Sequence, residues 1–244
     1  MQKIFAILGD IHANIDAFRT VVEDARKNGA TDFLCVGDVV GYNAAPSECI
    51  SLVRELDCKT VRGNHDHYAS CPAVSLSDFH PLAANVIEWT RRQLSSGETE
   101  WLAALPLQIP VAGFTLVHAT LDMPDHWGYV FDGLAAEASL TYQKTPVCFH
   151  GHTHVPIVYE KSPDGVLVGS PDEITPSIGR KLFINTGSVG QPRDGDPRAS
   201  YVIYDTGARK IKFRRLEYDV EAAMERNRKA GLPDRLADRL ALGR

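Results

Sequence analysis

Apolar positions along the first quarter of the chain alternate between short runs and helical spacings. Ile4 to Leu8 is an apolar run that reads as a buried strand and stops at Gly9-Asp10-Ile11-His12. Asn14 then stands as a helix N-cap, and Ala17, Phe18, Val21, Val22 and Ala25 recur at helical spacing until Lys27 and Gly29 close the helix. A second strand, Phe33 to Val36, ends in Gly37-Asp38. Pro46 opens a second helix with Cys49, Ile50, Val53 and Leu56 as its buried stripe. Cys58 to His65 reads as a third strand. The pattern is a βαβαβ unit, and in such open sheets ligands collect beyond the carboxyl ends of the strands.

From Tyr68 to Pro106 the spacing turns helical: Leu82, Val86, Trp89 and Gln93 share a face with Ile87 and Leu94, and a shorter helix runs from Thr99 to Leu105. We read this stretch, about 68–106, as a helical insertion within a single domain spanning 1–244. Strands follow at Leu107 to Val111 and Phe114 to His118, joined by an Ala112-Gly113 hairpin. A helix over 133–142 leads to the strand Val147 to Phe149, which runs into His150-Gly151-His152-Thr153-His154. Further strands are expected at Ile157 to Tyr159, Leu182 to Ile184, Tyr201 to Tyr204 and Ile211 to Leu216. Between them lie two long irregular loops, Lys161 to Arg180 and Gly187 to Arg198. The charged tail, Asp219 to Arg244, reads as two surface helices broken at Gly231-Leu232-Pro233.

Composition narrows the class. The 244 residues are 44% hydrophobic and 23% charged, ordinary for a soluble globular chain with ample core. A net charge of -5 without a long basic block disfavours extended nucleic-acid binding. Five scattered cysteines, never in CxxC spacing, argue against a disulfide framework and a zinc knuckle and suit a reducing compartment. The first apolar run is too short for a signal peptide and no stretch is long enough to span a membrane, so a cytoplasmic location is expected. Oligomeric state is not readable.

The strand ends carry the candidate chemistry: Asp10 and His12, Asp38, Asn64 and His65, His118, His152 and His154. In Asp-x-His and His-x-His the two side chains share a face if the backbone is extended, and can converge on an ion. Carboxylate, amide and imidazole donors without thiolates suit Mn, Fe, Zn or Ni. Even with one of these set aside, seven donors exceed the needs of one ion, and a carboxylate can bridge, so two divalent metals are implied. Paired metals suit in-line displacement at phosphorus.

Gly9-Asp10-x-His12, Gly37-Asp38-x-x-Gly41, Gly63-Asn64-His65-Asp66, His118 and Gly151-His152-x-His154 resemble, in order, the five motifs of the calcineurin-like metallophosphoesterase superfamily. Arg62 before the third motif resembles the serine/threonine phosphatase branch. Asn185 to Asp194 resembles the bacterial branch named for diadenosine tetraphosphate hydrolases. The resemblance implies a two-sheet β-sandwich flanked by helices, four-layer α/β/β/α. It implies that Asp10, His12 and His154 hold one metal, most simply Mn, that Asn64, His118 and His152 hold a second, and that Asp38 bridges them. A metal-bridging hydroxide would attack phosphorus directly, with His65 as general acid or electrostatic stabiliser and Arg62 gripping phosphate. The substrate would be small and phosphorylated, nucleotide-like; monoester, diester and anhydride stay open. The alternative is a non-catalytic, protein-binding scaffold of the retromer type, which lost ligands would favour.

Other residues are weighed singly. Tyr42, Asn43, Trp127, Tyr129 and Arg193 could contact a substrate. Asp66 is either a turn residue or an outer support of a ligand, and His67 is given no direct role. His80 and His126 read as surface or loop histidines, and His150 as a core histidine or an outer partner.

Overall fold

Period-two alternation in the strands decides the architecture of the computed structural model, which describes residues 3–77 and 81–244. The reading of His80 lies outside the described residues. In β1 (Ile4–Leu8) and β2 (Asp32–Cys35), Ala6, Leu8, Phe33 and Cys35 pack towards α1 (Ile15–Lys27) and α2 (Pro46–Glu55). Phe5, Ile7 and Leu34 face the other way and meet Phe114, Leu116, Phe149, Leu182 and Ile184 of a second sheet. A strand whose two faces are both apolar must be covered on both sides, and here one cover is helix and the other is sheet.

The first sheet has the order β3-β2-β1-β11-β12-β9, with β3 (Lys59–Thr60), β2 and β1 parallel and β11 (Ala199–Asp205), β12 (Lys210–Leu216) and β9 (Glu173–Ile174) antiparallel. The second runs β4-β5-β6-β10-β7-β8, formed by β4 (Gln108–Val111), β5 (Phe114–Val117), β6 (Val147–His150), β10 (Lys181–Asn185), β7 (Ile157–Ser162) and β8 (Gly165–Gly169). Here β5, β6 and β10 are parallel. Cys148 and Phe183 point away from the first sheet onto Ala136 and Leu140 of α6 (Gly133–Tyr142). The result is the expected four-layer α/β/β/α sandwich of two six-stranded sheets. The C-terminal ends of β1, β2, β5 and β6 converge at one end of it.

Three expectations are corrected. The third strand stops at Thr60, and Asn64 and His65 open a helix, α3 (Asn64–Ser70), because the Asp66 carboxylate accepts the Gly63 N–H at 3.0 Å and caps that turn. The loop from Lys161 to Arg180 contains β8 and β9: Val166-Leu167-Val168 folds back on β7 as a hairpin closed at Ser162 and Gly165. The tail helices, α7 (Val220–Lys229) and α8 (Asp234–Leu242), do more than cover the surface. Asn227 of α7 donates to Asn43 Oδ1 at 2.7 Å, and Leu232 and Leu236 pack on Val86 of α4 (Pro81–Gln93). A further helix, α5 (Ser96–Ala104), precedes β4.

One polar cluster ties α1 to the first sheet. Asp24 accepts from Tyr201 Oη at 2.6 Å and from Arg214 Nε and Nη2 at 3.1 and 2.9 Å. Burial alone would push this carboxyl up, but the bonds from Arg214 and Tyr201 outweigh it and hold it below the usual carboxylate range. A depressed folded pKa means that the stability is present above the unfolded value and is lost as pH falls through the folded one. Asp24→Asn should therefore be less stable by about 1 kcal/mol at pH 7, the small figure reflecting solvent screening of a partly exposed pair. Denaturant titrations should show that gap closing below the usual carboxylate range.

Candidate metal centre

The converging strand ends place all seven expected donors in one buried cluster, with Asn64 the most exposed at 8%. Asp10 and His12 follow β1, Asp38 follows β2, Asn64 opens α3, His118 follows β5, and His152 and His154 follow β6. Two groups form and share a member. Asp10, His12, Asp38 and His154 bring ligand atoms within 4.8 Å of one another, as do Asp38, His118 and His152. Asp38 Oδ2 stands 3.5 Å from both His12 Nε2 and His118 Nε2, between the groups. Asn64 Oδ1 lies 3.0 Å from His118 Nε2.

The hydrogen bonds around the rings test whether cations fit. A carbonyl oxygen can only accept, so a ring nitrogen bonded to one carries the proton. His12 Nδ1 donates to Val40 O (3.0 Å), His154 Nδ1 to Gln191 O (2.6 Å), His118 Nδ1 to Val36 O (2.8 Å) and His152 Nε2 to Trp127 O (2.9 Å). Each ring therefore turns a lone pair inward. The inward nitrogens of His12 and His154 are 3.0 Å apart, and those of His118 and His152 are 3.2 Å apart. Lone pairs facing at that range repel. Donors around one ion with bonds of about 2.1 Å stand about 3.0–3.4 Å apart for right-angled to tetrahedral geometry. The donor sets fit two divalent cations.

Titration behaviour agrees. In the chain by itself burial raises Asp10 to about 6, against the pull of His118, the His152 N–H and Arg193. Burial, then Asp66 and Asp10, push Asp38 up. Burial pushes His12, His152 and His154 well down, reinforced by neighbouring imidazoles and Arg193. Neutral imidazoles are the form that binds metal.

Backbone strain and close approach hold this arrangement. Asp10, His12, Asp38, His152 and His154 all have positive φ, between 46° and 71°, so the Asp-x-His and His-x-His pairs converge through left-handed turns and not through extended backbone. Such residues cost on the order of 1–3 kcal/mol each and persist where their surroundings over-determine them. Two glycines make room: a Cβ on Gly63 would lie 2.1 Å from Asp38 Oδ1, and one on Gly151 would lie 2.3 Å from Asp10 Oδ2. Asp66 is an outer support, fully buried, whose carboxylate accepts from the N–H groups of Asp38, Val39, Val40 and Gly63 at 2.8–3.2 Å. The loop after β10 braces the opposite side. Asn185 donates to Gly151 O and Thr153 Oγ1, and Ser188 Oγ to Asp10 O.

The remaining candidates divide. His65 lies inside, its ring 4.8 Å from that of His12 and 4.4 Å from that of Tyr42, and its backbone N–H donates to Asp38 Oδ1 at 2.8 Å. Arg193 holds its guanidinium 5.3 Å from the centre of the Tyr42 ring, close enough to influence Asp10, Asp38 and His65. Arg62 instead donates from Nη1 to Ala103 O, at the end of α5. Asn43 turns inward and donates to His12 O, while Trp127 serves through its carbonyl. Tyr129 stacks on His152 with centroids 4.0 Å apart. His150 is a core histidine stacked on Phe183 at 3.9 Å, His126 is exposed, and His67 packs by Tyr68 and Trp127. Sequence reading missed the bracing by Asn185 and Ser188, although the Pro- and Gly-rich loop that follows β10 was the available signal.

Residues 4–209 match the calcineurin-like phosphoesterase superfamily domain. An uncharacterized protein of Methanocaldococcus jannaschii is 37% identical over 248 residues, covering 100% of both chains. A metallophosphoesterase from Sphaerobacter thermophilus has a similar crystal structure, with TM-score 0.88, 36% identity and 100% of each chain covered. A symmetrical bis(5'-nucleosyl)-tetraphosphatase of Aggregatibacter actinomycetemcomitans is 29% identical over 124 residues, which is 49% of this chain and 44% of that one.

The four N–H bonds to Asp66 generate a prediction. Asp66→Asn sets an amide N–H₂ against backbone donors and should weaken metal binding about 10–100-fold, as loss of an outer support does. Metal titration of the folded variant, monitored by calorimetry, checks this; unchanged affinity would remove Asp66 from the site.

Proposed function

Because the chain belongs to the calcineurin-like phosphoesterase superfamily, we propose that it is a dinuclear metal-dependent phosphoesterase that hydrolyses phosphate ester or phosphoanhydride bonds by direct attack of water-derived oxygen on phosphorus. One observation carries the reading: two groups of inward lone pairs, locked by four backbone carbonyls, share Asp38. Asp10, His12 and His154 would hold one cation, Asn64, His118 and His152 the other, with Asp38 between them and manganese the first ion to test. When bound, such ions supply Lewis acidity towards phosphoryl oxygens and a nucleophile drawn from water near neutral pH.

The chain's own groups do the rest. Arg193 supplies a cation to a phosphate held against Tyr42 and His65. His65 is kept neutral, its pKa pushed well below the usual value by burial, then by Arg193 and nearby histidines. Its Nδ1 is buried against Gly41 without a partner, which leaves Nε2 to hold a proton towards the leaving oxygen. Tyr129 and Phe131 stack at 5.3 Å beside His152 and are 51% and 68% exposed, a platform suited to a nucleobase. That platform, with the likeness to a bis(5'-nucleosyl)-tetraphosphatase, favours a nucleotide-like substrate. Five free thiols suit a reducing, cytoplasmic setting. No donor is missing, so nothing favours the scaffold reading.

His65→Ala should retain two metals and lose about 10²–10⁴-fold in turnover. Asp38→Ala should lose metal as well as activity. Metal analysis beside hydrolysis of aryl monoester, aryl diester and dinucleoside polyphosphate checks both, and full activity in metal-depleted Asp38→Ala would overturn the mechanism.

A further inference from the structure

The C-terminal helix brings cations to the mouth of the site. A cavity of about 530 Å³ opens beside Tyr42 and Arg193 and is lined further by Arg235, Arg239 and Arg244, with Asp238 as its carboxylate. The volume lies in the range of ligand pockets, about 300–1,000 Å³. Tyr42 joins it to the metal centre, because the same ring stands 4.6 Å from His12 and 4.4 Å from His65. Arg235 and Arg239 are four residues apart on α8 and so share a face. Leu236 and Leu240, both 1% exposed, anchor the helix from its buried side.

The cations of this cavity meet few acceptors: Arg239 Nε donates to Arg244 O at 2.7 Å and Arg193 Nη2 to Gln191 Oε1 at 3.3 Å. Several other arginines sit against carboxylates, among them Arg214 on Asp24, Arg226 on Asp16 and Arg198 on Asp196, while Arg62, Arg91 and Arg209 bond to backbone carbonyls. Among the described residues no Asp or Glu pairs with Arg193, Arg235 or Arg239. Asp238 is already engaged, its Oδ1 accepting from Arg228 Nη2 at 3.0 Å. Arg193 Nε is buried without a hydrogen-bond partner. Burial, then Arg193, push the Arg239 guanidinium below its usual value, with Arg235 adding to the effect. On a chain of net charge -5, mutually repelling guanidinium groups beside a metal centre are a strong local exception.

We infer that this cavity is an anion subsite in which Arg235 and Arg239 bind a phosphoryl group beyond the one attacked, so that the preferred substrate carries a phosphate chain and not a single phosphate. The inference rests on the phosphoesterase reading. Arg193, shared by both places, spans the attacked phosphate and its neighbour, and α8 sets how long a chain is accommodated. Guanidinium groups suit this task because their planar N–H pairs match phosphate oxygens.

The test compares Arg235→Gln, Arg239→Gln and the double variant with the parent on a dinucleoside tetraphosphate and on an aryl phosphate. Each single change should lower kcat/KM on the tetraphosphate about tenfold, mostly through KM, while the aryl phosphate changes by less than about twofold. In parallel, calorimetry in the manganese-loaded protein should show a methylene-bridged nucleoside triphosphate binding at least about tenfold more weakly to the double variant. Equal losses on both substrates, or equal binding of the analogue, would overturn the subsite. If the parent turns over neither substrate, the phosphoesterase reading fails, and analogue binding still decides the subsite. Should the double variant melt early, the exposed Arg235→Gln alone carries the comparison.

Discussion

Buried lone pairs pointed at one another are the constraint on which the rest of the structure depends. Four imidazoles and two carboxylates repel unless positive charge lies among them, so the chain must hold them from outside. It does so with backbone. Carbonyls of Val36, Val40, Trp127 and Gln191 take the outward ring protons and fix each tautomer. Left-handed turns at Asp10, His12, Asp38, His152 and His154 aim the side chains. Each of these features is costly by itself, and together they hold the donors in one arrangement from outside.

The sandwich explains why so much restraint is available. Strands from both sheets deliver their C-terminal ends to the same place, so every donor but Asn64, which opens α3, is rooted in the turn that leaves a core strand. Asp66 then joins two such ends, β2 and the start of α3, through four N–H groups, and Asn185 joins two others, β6 and β10. A buried carboxylate without a cationic partner is normally a liability. Here the peptide dipoles that solvate it are the ones that need positioning.

Much of this was legible in the sequence. Most strands in their chain order, the helix over 133–142 and the two tail helices follow from periodicity, while the candidate donors come from polar residues after apolar runs and their division into seven donors and His65 from the family resemblance. What was not legible depends on long-range geometry. Nothing local says that Asn64 opens a helix, because the cap comes from Asp66 bonding back to Gly63 and across to β2. Convergence of Asp10 with His12 was expected from extended backbone, yet it comes from positive φ, which residue type does not announce. Val166-Leu167-Val168 is too short and too close to glycine for periodicity to separate it from loop. The resemblance gives the phosphate to Arg62 and leaves Arg193 only as a residue that could contact a substrate, whereas the Arg193 guanidinium lies beside Tyr42 and that of Arg62 donates to Ala103 O.

The position of α8 has a consequence for how the protein can diverge. The superfamily match ends at residue 209, before α7 and α8, while the donor cluster lies wholly within it. The donors, together with Arg193, and the helix that carries Arg235 and Arg239 thus lie in separate stretches of chain, joined by contacts such as Asn227 with Asn43. Drift in the last helix can reshape the lining of the cavity without disturbing a single donor. The cavity wall and the donor set can therefore vary as two nearly independent traits.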